Sequence, residues 1–125
     1  MATTAAQMVA DAKTRTESLT ADQVATERDA GEALVVDIRD ADQRSADGAI
    51  PGAIHASRGM LEFYADPSSP YHRPEFDPNG RVILHCASGG RSALAADTLK
   101  ALGYTNVAHL DGGFNAWREA GKPIE

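Results

Sequence analysis

The sequence predicts an α/β domain built on a mostly parallel sheet. Three observations carry this expectation. LVVDIR (34–39) and RVILHC (81–86) are apolar runs rich in branched residues with little alternation, the pattern of strands buried on both faces. Segments of helical composition separate such runs, and alternation of strand with helix favours parallel pairing. With 125 residues and 42% hydrophobic content, the chain suits one compact domain with a substantial core.

Each element has its own signal. AAQMVADAKTRTE (5–17) predicts a helix, with Met8, Val9 and Ala12 at helical spacing. Residues 1–17 read as a helical extension packed on a domain spanning 18–125. Thr20 with Gln23 three places later predicts an N-cap and capping box for a second helix, which runs through Val24 and stops near Gly31. After LVVDIR, Gly48–Gly52 carries turn chemistry and AIHAS (53–57) predicts a short strand. Residues 60–80 hold four prolines and most of the aromatic residues. Met60–Tyr64 predicts a helical turn there. The rest reads as a packed surface excursion with an aromatic anchor, the alternative being a lid. Ser92–Leu102 predicts a helix with Ala95, Leu99 and Leu102 on one face and Gly103 as its stop. VAHL (107–110) is a further strand, Asp111–Gly113 a turn, and Phe114–Ala120 a last helix ended by Gly121 and Pro123.

Charge and composition exclude several functions. A net charge of −6 argues against a nucleic-acid partner and against attraction to anionic membranes. Any anion site must be local. A single cysteine, Cys86, leaves no internal disulfide and no C-x-x-C pair. The four histidines show no metal-ligand spacing, so a histidine metal site is not expected. The N-terminus lacks a basic start followed by an apolar run, so no signal peptide or membrane span is predicted. A free thiol fits a reduced, cytoplasmic setting.

The chemistry concentrates in His85-Cys-Ala-Ser-Gly-Gly-Arg-Ser92. A buried strand delivers Cys86 to its carboxyl end, where open α/β sheets place ligands. Ala87, Ser88, Gly89 and Gly90 are small enough to let backbone N–H groups turn inward as an anion-binding nest. A helix N-terminus follows, with unpaired N–H groups and a positive dipole end. Arg91 adds a guanidinium fork suited to oxyanions. Such a setting favours the nucleophilic thiolate and also binds the anion it attacks. Ser92 is a candidate hydrogen-bond donor to the sulfur or, alternatively, the N-cap of the following helix. Packing alone would make Cys86 an inert small hydrophobe, but packing requires neither the glycines nor Arg91.

Four segments, in order, resemble the single-domain rhodanese-like sulfurtransferases: VVDIRD (35–40), GAIPGAIHAS (48–57), ILHCASGGRS (83–92) and LDGGFNAW (110–117). The resemblance spans about residues 18–122. It implies a doubly wound fold with a central, mostly parallel five-stranded sheet flanked by helices. It implies that Cys86 carries sulfur as a persulfide, that 87–91 surround it and that Arg91 closes the loop. Asp37 and Arg39 would support the scaffold, and the Trp117 segment would be core packing. The implied partners are a small-molecule sulfur donor such as thiosulfate and an acceptor such as cyanide, a thiol or a protein. The implied sulfur-transfer chemistry needs no cofactor. Four residues separate Cys86 from Arg91; in related phosphatases of this fold the gap is five. His85 resembles the phosphatase motif but reads as a strand residue facing the next layer. Ala49 stands where the family often has histidine. Arg58 and Arg73 would supplement Arg91 if they folded over the site. The alternatives are a phosphatase or arsenate reductase using the same loop, and a non-catalytic interaction module.

Overall fold

The computed structural model of the chain describes residues 2–125. Thr4 caps α1 (Ala5–Arg15), with Gln7 completing a capping box. β1 (Glu17–Leu19) follows, then α2 (Ala21–Ala30), which Thr20 and Gln23 cap as the sequence predicts. Gly31 ends α2 in the left-handed region at φ 75°. β2 (Ala33–Asp37), α3 (Ala41–Asp47) and β3 (Ile54–His55) come next. A single 3-10 turn (Arg58–Met60) leads into α4 (Leu61–Ala65). The chain closes with β4 (Arg81–His85), α5 (Gly90–Ala101), β5 (Val107–Leu110) and α6 (Gly113–Glu119).

The five strands form one sheet in the order β1-β5-β4-β2-β3, with every pairing parallel. Side chains alternate across the strands, so the sheet builds two cores. Val36, Val82 and Leu84 pack with Ala95, Leu99 and Phe76 on one face. Val35, Ile83 and Ala108 pack with Val24, Phe114 and Trp117 on the other. The doubly wound, five-stranded fold is therefore present as expected.

Three local expectations need correction. Glu17 is not helical: α1 stops at Arg15, and Glu17 opens the edge strand β1, paired with Ala108 of β5. With only Leu19 of its three residues buried, β1 offers no apolar run to read. The expected strand 34–39 stops at Asp37, and Ile38 and Arg39 lead out of the sheet while remaining buried. The helix after Cys86 begins at Gly90 rather than Ser92, with Gly89 as its N-cap. Ser92 thus lies inside the first turn and does not cap. α3 is an element that the sequence analysis does not anticipate. It has no buried residue, hence no apolar stripe.

The segment 60–80 behaves as an anchored excursion. Phe76 is buried in the core on the α5 face. The Tyr104 hydroxyl donates to the Ala65 carbonyl at 2.8 Å. Arg73 lies over the Tyr64 ring at 5.2 Å.

Candidate active site

β4 is the middle strand of the sheet. The chain leaves β4 through α5 towards β5, and leaves the neighbouring β2 through α3 towards β3 on the opposite side. Connections that diverge from adjacent parallel strands open a crevice at the strands' carboxyl ends. Cys86 is the first residue beyond β4, at that position.

Backbone N–H groups point at the sulfur. The amide of Gly89 donates to Sγ at 3.2 Å and that of Ser92 at 3.3 Å. Ser92 Oγ is 3.5 Å from Sγ and 3.4 Å from the Gly89 carbonyl. The cysteine is 1% exposed and makes no disulfide. Gly89 adopts φ 103°, and a Cβ there would meet Gly112 N at 3.0 Å. Only glycine turns this loop without strain.

A second segment holds the loop from below, which sequence reasoning missed. Phe114 N–H donates to the Cys86 carbonyl at 2.8 Å and Asn115 N–H to the Ala87 carbonyl at 3.0 Å. With those carbonyls turned down onto α6, later amides of the loop are left to face the sulfur. Gly113 makes the approach possible: a Cβ there would lie 2.6 Å from Ala87 C, Ala87 O and Cys86 O. The Gly112-Gly113 pair was the available signal. Trp117, fully buried, locks α6 by donating to the Pro123 carbonyl at 2.7 Å.

Beside the loop lies a buried charge cluster. Asp37 and Arg39 are 0% and 1% exposed. Arg39 Nη2 donates to Asp37 Oδ2 at 2.7 Å, Nε to Oδ1 at 3.0 Å, and Nη2 also to the Gly48 carbonyl at 2.7 Å. The guanidinium stacks on Phe114, 4.2 Å from the ring centroid. Burial pushes the Asp37 carboxyl up, but the Arg39 hydrogen bonds and the surrounding charges together hold the net value below the ordinary carboxylate range. Asp37 is in register with His85. His85 stacks on Phe114 as the adjoining layer. Its Nδ1 is 3.2 Å from the Cys86 carbonyl, which can only accept, so the proton belongs on Nδ1. Burial lowers the His85 pKa and leaves the ring neutral at pH 7.

Arg91 does not bond the sulfur. Its Nη1 donates to Gln43 Oε1 at 3.0 Å, spanning the crevice from α5 to α3. Arg58 and Arg73 are engaged elsewhere. Arg58 pairs with Glu62 and Thr98. Arg73 bonds the His55 carbonyl and Glu75. Neither supplements Arg91 in this arrangement. Among the described residues, no group of three His, Cys, Asp or Glu side chains converges to hold a metal ion.

The family model for the rhodanese-like domain matches residues 20–120. The chain belongs to the rhodanese-like domain family. A sulfurtransferase from Allochromatium vinosum is 33% identical over 96 residues, 77% of this chain and 81% of that protein. The thiosulfate sulfurtransferase GlpE of Actinobacillus succinogenes is 33% identical over 93 residues, 74% of this chain and 76% of its own length. Among solved structures, a Rhodopseudomonas palustris protein described as a possible tyrosine phosphatase superposes with a TM-score of 0.94. It is 42% identical, with 100% of this chain and 96% of that one covered. A thiosulfate sulfurtransferase from Pseudomonas aeruginosa gives 0.77 at 32% identity, covering 97% of this chain and 22% of that one. This rhodanese-like domain has no helix, among the described residues, long and apolar enough to cross a membrane.

Proposed function

We propose that this rhodanese-like domain is a sulfurtransferase with Cys86 as its nucleophile. The observation that carries the reading is the pair of amides from Gly89 and Ser92 at 3.2 and 3.3 Å from Sγ, in a loop with four residues between Cys86 and Arg91. Donors fixed around a sulfur stabilise its anionic form without reorganisation during reaction.

The reaction has two halves. Cys86 thiolate attacks the outer sulfur of a donor such as thiosulfate. The S–S bond of the donor breaks, sulfite leaves with its electron pair, and Cys86 carries a persulfide anion. The loop amides take up the charge on the added sulfur. A nucleophilic acceptor, such as cyanide, a thiol or a protein thiolate, then attacks that terminal sulfur and regenerates the Cys86 thiolate. This is covalent, ping-pong catalysis and needs no cofactor. Asp37 and Arg39 hold the scaffold and take no part in bond making. A reducing, cytoplasmic setting keeps the single thiol available.

Incubation with thiosulfate should add the mass of one sulfur to the intact protein, and Cys86→Ala should abolish the gain. An unchanged wild-type mass with thiosulfate, polysulfide and persulfide donors overturns the reading. The Rhodopseudomonas palustris relative favours one competitor, a phosphatase on the same loop. Turnover of a phosphomonoester without sulfur loading would establish that competitor instead.

A further inference from the structure

The chain is acidic, and most of its arginines lie beside a carboxylate, with Arg39 and Arg44 sharing Asp37. Of nine arginines, seven lie within 4.0 Å of a carboxylate. Among the described residues, only Arg91 and Arg118 do not. Arg118 is on the exposed face of α6. Arg91 is half-buried at the crevice, one residue before the Ser92 amide that points at Sγ.

The side chain that holds Arg91 is neutral. Gln43 Oε1 accepts from Arg91 Nη1 at 3.0 Å and from the Asp40 amide at the start of α3 at 3.3 Å. With Oε1 occupied by these donors, the Gln43 side-chain NH2 has no protein acceptor among the described residues. A glutamate would serve the α3 terminus equally well, but it would pair with Arg91 and present no donor. The Arg91 contact is not a requirement of capping, since Gln7 and Gln23 cap α1 and α2 without an arginine.

We infer that Gln43 is a specificity-determining, positioning residue: it fixes the Arg91 guanidinium across the crevice without cancelling its charge, so that the site selects a dianionic sulfur donor. The inference rests on the sulfur-transfer reading for the identity of the substrate. Its physical basis is local. A net charge of −6 repels a dianion, and an uncompensated guanidinium at a partly desolvated position reverses that field where the donor enters.

The test uses Gln43→Glu, which keeps side-chain size and the α3 hydrogen bond. Thiosulfate is titrated calorimetrically into Cys86→Ser and into Cys86→Ser/Gln43→Glu, at low and high salt. The expected result is about tenfold weaker binding in the double variant, or about 1.4 kcal/mol, with a shallower salt dependence. Equal affinities, or no thiosulfate binding to Cys86→Ser, overturn the inference. With Cys86 intact, loading by thiosulfate and discharge of the loaded protein by 2-mercaptoethanol are timed separately by mass. The ratio of loading to discharge rate should fall about tenfold in Gln43→Glu, with the loss appearing in KM for thiosulfate. An equal fall in both rates marks a structural role and overturns it. If the binding difference holds while no donor loads Cys86, the sulfur-transfer reading fails and the charge assignment stands.

Discussion

Two polar clusters sit side by side at the carboxyl ends of β4 and β2, and they are built in opposite ways. The Cys86 loop is made of backbone: its amides face a sulfur, and its carbonyls are tied to α6. The Asp37–Arg39 cluster is made of side chains, a bidentate ion pair with almost no exposure. Backbone donors leave room for a ligand whose atoms change during a reaction. A buried ion pair already satisfies its own charges and has little left to offer a substrate. The contrast supports the proposal that chemistry belongs to one cluster and rigidity to the other.

Substitutions can break that contrast. The largest expected effect on chemistry is at Cys86. Cys86→Ser should take sulfur loading to background by mass while leaving the melting temperature close to wild type. The largest effect on stability is at the ion pair. Arg39→Met leaves a buried carboxylate unpaired and should cost about 3–5 kcal/mol in urea unfolding. Adding Asp37→Leu should recover much of that loss, because the buried pair contributes little net energy over apolar packing. A double variant that stays folded yet loads no sulfur would move Asp37 and Arg39 into the chemistry.

Glycine substitutions sharpen the backbone half. Gly113→Ala drives a Cβ to 2.6 Å from the Cys86 and Ala87 carbonyls. It should cost more than about 1 kcal/mol and slow sulfur loading, since the loop must shift. Gly90→Ala meets only Val9, at 3.7 Å, and should change stability by less than about 1 kcal/mol. Comparable loading rates in the two variants would show that α6 does not hold the loop. Ser92→Ala should have the smallest effect, less than about tenfold in loading rate, because the backbone amide at 3.3 Å remains.

Acid should destabilise the fold in two steps. Burial keeps the pKa of His85 and of His109 below the ordinary value. As pH falls below about 6.5, the unfolded chain takes up protons that the folded chain refuses, so stability declines. Asp37 acts lower. Its stabilisation is complete above the unfolded carboxyl value of about 3.9 and disappears as pH falls through its depressed folded value. Melting temperatures from pH 8 to pH 3 should show both declines. His85→Gln should flatten the first, and an unaltered slope would place that proton uptake elsewhere.

The central strands were legible because burial on both faces writes itself as an uninterrupted apolar run, as in LVV and VIL. The α2 cap was legible because Thr20 and Gln23 interact locally. β1 and α3 were not, because β1 buries one residue and α3 none. Their positions depend on neighbours distant in sequence. The reach of Arg91 was also invisible, since Gln43 lies 48 residues away.

By itself the sequence determined the strand–loop–helix around Cys86. The small residues, the glycine that permits φ 103° at Gly89 and the following helix are local properties of eight residues. It also determined the parallel α/β class, through periodicity. Only the tertiary structure decided what supports the cysteine loop and what anchors Arg91. α6 fixes the loop carbonyls through contacts made across the fold. α3 supplies the neutral anchor for Arg91. Side-chain identity and spacing encode short-range geometry, but which distant amide or carboxyl group meets a given charge is set when the sheet assembles.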